Sequence, residues 1–218
     1  MGVISGTDFR TGASFVNQLF VANNGGPATS TCDGWLTWIL PVCAGLLYRD
    51  SIEINEQKYP LQFDHVNLVP DSGGAGKFRG AVGMELSYTS RGEPIDLVWV
   101  LDGHERPSHG IHGGGPGQLA SAALCEAGRE KKPMPGTAAI SLKPGDYVFN
   151  VTASGGGFGD PLQRDTAAVL HDVREGYVTP AAASSVYGVV LTGEPNDDSL
   201  AVDEEATAAR RAELATVD

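Results

Sequence analysis

Three glycine-dense stretches constrain this chain more than any other feature: DSGGAGKFRG from Asp71 to Gly80, HGGGPG from His112 to Gly117, and SGGGFGDP from Ser154 to Pro161. A glycine backbone reaches φ > 0 without strain and admits a second backbone or a ligand at close range, so three such stretches mark tight shaping, not linkers. Apolar and polar residues alternate around them with the period of a strand. Ser51–Asn55 and Tyr59–Leu68 read as half-buried strands, and further strands are predicted at Val82–Thr89, Ile95–Leu101, Gly136–Leu142 and Tyr147–Thr152. Near the start, Phe15-Val16 and Leu19-Phe20-Val21 read as a strand leading into the polar loop NNGGPATSTCDG. Many short strands without long helices between them point to an antiparallel body, a sandwich or barrel.

After Asp160 the character changes. Asp165 is placed to cap a helix whose apolar stripe is Ala168, Val169, Val173 and Tyr177, while Thr179-Pro180 is a cap followed by proline at the first helical position. Val189–Leu191 reads as a short strand. A last helix from about Asp203 to Leu214 carries Glu204 and Glu205 at its start and Arg210 and Arg211 near its end, as the helix dipole favours. The fold class expected is therefore α+β: a predominantly antiparallel β body over 1–153, then a glycine loop and helical segment over 154–218 packed on it. Gly193–Ser199 is the one stretch that reads as a linker. Trp35–Tyr48 is apolar without a period and stays open between helix and strand.

Composition excludes several partners. With 27 acidic and 15 basic residues, a net charge of −12 and no basic run, neither a nucleic-acid backbone nor an anionic membrane is a natural partner. The N-terminal sequence shows no secretory pattern, and the strongest apolar run contains Pro41 and Gly45 and falls short of the roughly 20 residues a membrane span needs. Cys32, Cys43 and Cys125, an odd set without close pairing, suit a reducing compartment, so a cytoplasmic location is expected.

Chemistry is sought first in Asp102, His104, His109 and His112, which fall within eleven residues of a Gly/Pro-rich loop. Such a set could hold a divalent metal, face a substrate or partner, or simply lie at the surface. In the first glycine stretch Gly76-Lys77 is followed by Phe78 where a phosphate loop needs Ser or Thr, and position 79 is Arg, so neither nucleotide signature is met. Two readings remain: a tight turn with Asp71 and Ser72 bonding backbone amides and Lys77 and Arg79 outside, or Lys77 and Arg79 contacting a carboxylate, a phosphate or a partner. Gly155, Gly156 and Gly157 before Asp160 either form an anion-binding nest or let body and helices pack closely with Asp160 capping the turn. No G-x-S-x-G elbow is present, and Tyr177, Tyr187, Trp35 and Trp38 read as core or interface aromatics.

The order DSGGAGKFRG, HGGGPG, LKPGD, GGGFGDP and then DTAAVLHDVREGYVTPAAASSVYGVVL resembles the C-terminal third of hydantoinase B/oxoprolinase family subunits, from about Ser5 to about Glu213. The family includes subunits of ATP-dependent hydantoinases, 5-oxoprolinases, and acetone and acetophenone carboxylases. The resemblance implies a subunit of a cytoplasmic multi-subunit enzyme that opens a cyclic amide, or alternatively carboxylates a ketone, or a non-catalytic structural subunit of such a complex. ATP and Mg would be bound by a hydantoinase A-like partner, which phosphorylates the amide oxygen. A divalent metal, where the complex has one, would be held by the N-terminal hydantoinase B-like portion, outside this chain. Because the resemblance begins in the C-terminal part of the family's subunits, the expectation is a split gene or one piece of a larger enzyme, in either case an obligate partner.

Overall fold

The computed structural model describes residues 2–38, 49–195 and 197–216. Two antiparallel sheets form its main body. The first, of four strands, runs β2 (Ser14–Leu19), β1 (Gly2–Thr7), β5 (Ile95–Val100), β8 (Thr137–Leu142). The second, of five strands, runs β3 (Leu61–Leu68), β4 (Met84–Ser90), β9 (Tyr147–Val151), β6 (Ser121–Cys125), β7 (Lys132–Met134). Strand alternation sets the faces: in β5, Ile95, Leu97 and Trp99 are buried, while Asp96, Val98 and Val100 point outward. The core between the sheets joins Ile4, Leu97 and Leu142 of the first to Leu61, Leu86, Tyr88 and Val148 of the second. This is the expected sandwich.

The strand expected at Ser51–Asn55 is instead α1 (Ile52–Lys58), capped by Ser51, whose Oγ accepts from the amide of Ile54 at 3.3 Å. The alternation there did not track burial, since Ile54 is half exposed and Asn55 is buried. Strands β6 and β7 were not anticipated; β7 is three residues long and carries Pro133, which a sheet tolerates at an edge. Of the run Trp35–Tyr48, residues 39–48 lie outside the described residues, and Trp35 and Trp38 meet edge to face with centroids 6.2 Å apart.

Beyond residue 160, a 3-10 turn (Pro161–Gln163) leads to α2 (Thr166–Arg174), α3 (Pro180–Ser185) and α4 (Glu204–Leu214). Asp165, Thr179 and Asp203 cap the three helices, each accepting a backbone N–H of the first turn. The short strand expected at Val189–Leu191 is displaced to β10 (Leu191–Thr192), which pairs with β11 (Ala201–Val202). The stretch after Gly193 is therefore the connection of a hairpin and not a linker. Val169, Val173, Val178, Ala183, Tyr187, Val189 and Leu200 make a second core beneath these elements.

Candidate functional site

Between the two cores lies a layer made almost wholly of glycine backbone. Four extended segments, around residues 25–34, 73–83, 110–117 and 154–159, are cross-linked to one another by main-chain hydrogen bonds. Gly74 N donates to Gly155 O, Gly155 N to Ala81 O, Ala81 N to Gly26 O, Gly157 N to Gly115 O, and Gly115 N to Ala75 O, all at 2.7–3.0 Å. Glycine is demanded here by space. A Cβ on Gly80 would lie 2.0 Å from Gly155 O, one on Gly155 1.8 Å from Gly26 O, and one on Gly157 2.0 Å from Ala75 O. Backbones pack where side chains normally would, and their polar groups are satisfied by each other.

This settles the role of two sequence features. The amides of Gly155, Gly156 and Gly157 donate to Ala81 O, Ser108 Oγ and Gly115 O, so these three amides bond to the layer itself and not to an anion. Arg79, read as lying outside the turn, is instead buried. Its Nη1 donates to Gly80 O at 2.8 Å, its Nη2 meets Asp172 Oδ1 at 3.1 Å, and its guanidinium lies 4.9 Å over the Tyr177 ring. Ser72 Oγ donates to Val69 O and accepts from Gly83 N. Asp71, held at φ 61, accepts from both the amide and the hydroxyl of Thr179, tying the first glycine stretch to the cap of α3. Lys77 is exposed and forms no ion pair among the described residues; Asp160 caps the 3-10 turn through Leu162 N.

The ion cluster that sequence reading missed joins the buried Arg164 and Asp172 to the partly exposed Asp33. Arg164 uses all five of its N–H groups: Nε and Nη2 reach Asp172 Oδ2 at 3.1 and 2.8 Å, Nη1 and Nη2 grip Asp33 at 2.7 Å each, and Nη1 also donates to Lys77 O at 3.1 Å. Burial alone would raise the Asp33 carboxyl, but the hydrogen bonds and charge of Arg164 outweigh it and hold it below the usual range. Arg164 is likewise raised, its two carboxylates overcoming burial. Burial pushes the neighbouring Tyr187 hydroxyl up to about 12. Asp33 lies 131 positions from Arg164, out of reach of any local pattern. Asp172 did leave a trace: it falls three residues after Val169 on the apolar stripe of α2, and a buried acid implies a cation. Asp33 and Arg164 line an open cleft of about 630 Å³ together with Cys32, Lys77, Phe78 and Gln163.

The loop carrying Asp102, His104, His109 and His112 rides on the same layer. Ser108 Oγ accepts from Gly156 N at 3.1 Å, Ser108 O accepts from Gly117 N at 2.9 Å, and the His112 ring rests on Phe158 with centroids 5.1 Å apart. His112 takes φ 54, a left-handed backbone few non-glycine residues adopt. Asp102 Oδ1 accepts from Gly103 N. His104 Nδ1 lies 3.0 Å from Leu101 O, and since a carbonyl only accepts, Nδ1 is the donor there, while Nε2 lies 3.7 Å from Glu105 Oε1. Among the described residues no three His, Cys, Asp or Glu side chains converge as a metal would require.

The family model for hydantoinase B/oxoprolinase matches residues 1–161. The caprolactamase subunit beta of Pseudomonas jessenii is 35% identical over 87% of this chain and 32% of its own length. The acetone carboxylase alpha subunit of Xanthobacter autotrophicus is 30% identical over 91% of this chain and 30% of its own. In three dimensions the ATP-dependent caprolactamase of Pseudomonas jessenii aligns at TM-score 0.74 and 31% identity, covering 97% of this chain and 36% of that one. Nucleotide-free acetone carboxylase aligns at 0.73 and 26%, covering 99% and 33%. The chain spans about a third of the length of these relatives. Motif order, sandwich and glycine layer agree with these matches, and the chain belongs to the hydantoinase B/oxoprolinase family.

Proposed function

We propose that this chain works as part of an ATP-dependent multi-subunit enzyme that hydrolyses a cyclic amide, a lactam, hydantoin or 5-oxoproline, and that its glycine layer forms a rigid mount for the 102–112 loop at the substrate chamber. The observation that carries this reading is the likeness to caprolactamase subunit beta in both sequence and structure. A hydantoinase A-like partner would bind ATP and Mg and activate the amide oxygen; the N-terminal hydantoinase B-like portion would complete the chamber. In this chain His104, its Nδ1 held by Leu101 O, would serve through Nε2 as the group that takes a proton from an attacking water, with Asp102 and His109 as further polar groups of the same loop. Lys77 and Asp160, at the rim of the layer, would meet a substrate carboxylate or the partner surface. No helix among the described residues is long and apolar enough to cross a membrane, and the free thiols of Cys32 and Cys125 fit a reducing, cytoplasmic setting.

The test is turnover of caprolactam, hydantoin and 5-oxoproline by the assembled complex, with ATP present and absent. In that complex, His104→Ala should lower turnover by about 10²-fold or more, the scale of a lost general base, with assembly intact. Unchanged turnover in His104→Ala, His109→Ala and Asp102→Asn, with normal assembly, would make the chain a scaffold only. The likeness to acetone carboxylase supports a second reading, ketone carboxylation. Turnover of acetone that requires bicarbonate would select it over amide hydrolysis.

A further inference from the structure

The outer faces of the two sheets differ in kind. On the five-stranded sheet the outer face is polar and covered by its own long side chains: Thr89 and Ser87 are buried opposite Gln62 and His65, His65 Nε2 lies 3.9 Å from Glu85 Oε1, and Lys131 covers the Phe149 ring at 3.9 Å. On the four-stranded sheet the register places Gln18, Val3, Val98 and Ala139 in one row across β2, β1, β5 and β8, and Val16, Ser5, Asp96 and Ser141 in the next. Residues directly opposite in a ladder share a face, and Ile4 and Leu97 point the other way into the core. Val16 is 75% exposed, Val98 45% and Val3 37%. A β-branched face of this kind, with one ionised group in its two rows, is what sheets bury. The outer edge of β8, TAAISL, likewise lacks the proline and lysine that guard an edge, whereas β7 at the edge of the other sheet carries both.

We propose that this face is a docking surface for the remainder of a hydantoinase B-type polypeptide, the two-thirds of the relatives' length that this chain does not match. The proposal rests on the partner assigned under the proposed function and adds the surface by which it is held. Charge argues against a second copy as occupant. A two-fold axis through the patch would bring Asp96 close to its own image, between chains of net charge −12. A different polypeptide can set a basic or donor group against Asp96, whose neighbours across the ladder, Ser5 and Ser141, carry no charge.

The experiment co-expresses this full chain with a probe, the caprolactamase subunit beta of Pseudomonas jessenii shortened by the third that this chain matches, and measures co-purification and amide hydrogen exchange. The expected result is association, slowed exchange along β1, β5 and β8, and at least a tenfold loss of binding in the double variant Val16→Lys, Val98→Lys. The variant should fold normally, since both side chains are exposed, and Gln62→Lys on the other sheet should bind like the parent chain. Association undiminished in the double variant overturns the docking surface while leaving the proposed function standing. A homodimer that the double variant dissolves also overturns it, by giving the face another occupant. No association of the parent chain counts against both the surface and the assigned partner.

Discussion

Arg164 bonds two carboxylates that lie far apart in sequence, and both Arg164 and Asp172 are almost wholly buried. Removing one partner of a buried ion cluster leaves an uncompensated charge, so Arg164→Ala should destabilise the fold by about 3–5 kcal/mol in denaturant titration. Adding Asp172→Leu should deepen the loss and not restore it, because the buried Arg79 guanidinium then loses its carboxylate while Asp33 still lacks its cation. The same cluster sets an acid limit. Asp33 has its carboxyl lowered in the folded chain, so over that interval the unfolded chain binds the proton first. Its contribution is therefore present above the ordinary carboxylate range, near pH 4, and is lost as pH falls through the lower folded value. Stability measured between about pH 5 and pH 2 should decline, with a shallower acid limb in Asp33→Asn. Tyr187 sets the opposite limit: its raised hydroxyl favours folding below about pH 10 and loses that effect as pH climbs toward about 12.

At the scale of elements, the glycines divide into two kinds that one substitution separates. Gly12 takes φ +71 with nothing within 4 Å of a built Cβ, so Gly12→Ala should cost about 1–2 kcal/mol, the price of a left-handed alanine. Gly80 would thrust a Cβ within 2.0 Å of a carbonyl held by the layer, and overpacking against fixed backbone exceeds that figure. Gly80→Ala should therefore show a larger fall in melting temperature than Gly12→Ala; equal shifts would refute the packed-backbone account. The helices at the C-terminal end were legible because their caps are local chemistry: Asp165, Thr179 and Asp203 announce themselves within one turn. The Ser51–Asn55 error shows the converse. Five alternating residues fit a strand, yet a serine cap and the packing of Asn55 made a helix.

For the whole molecule, backbone bonds tie residues 25–34, 73–83, 110–117 and 154–159 into one layer, which meets the helical core at Ala75 and runs directly into β4 and β9 of the sandwich, where Gly25 N donates to Ala153 O and Thr152 N to Met84 O. Ala75 packs against the helical core, while Asp71 and Arg79 bond to Thr179 and Asp172. The sandwich and the helical segment should then unfold in one cooperative transition, with the amides of Gly74, Gly155 and Gly157 among the slowest to exchange. Two resolved transitions, or fast exchange at those amides, would show that the layer does not couple the cores.

Strand periodicity, helix caps and motif order are written within short windows, so the sequence by itself determined the antiparallel body, the C-terminal helices and the family, while the choice of sandwich over barrel waited on the sheet pairing. It also brought the 102–112 loop forward as a candidate for chemistry, through Asp102 and its histidines. Which residues meet across the chain was decided only in three dimensions. Arg79 faces inward because Asp172 is there to receive it, and Arg164 finds Asp33 because the glycine segments bring position 33 beside position 77. The glycine stretches themselves were visible at once, but their purpose was not. Whether a glycine serves a turn, a ligand or a neighbouring backbone depends on what lies within 3 Å of its absent side chain, and that is fixed by tertiary packing alone.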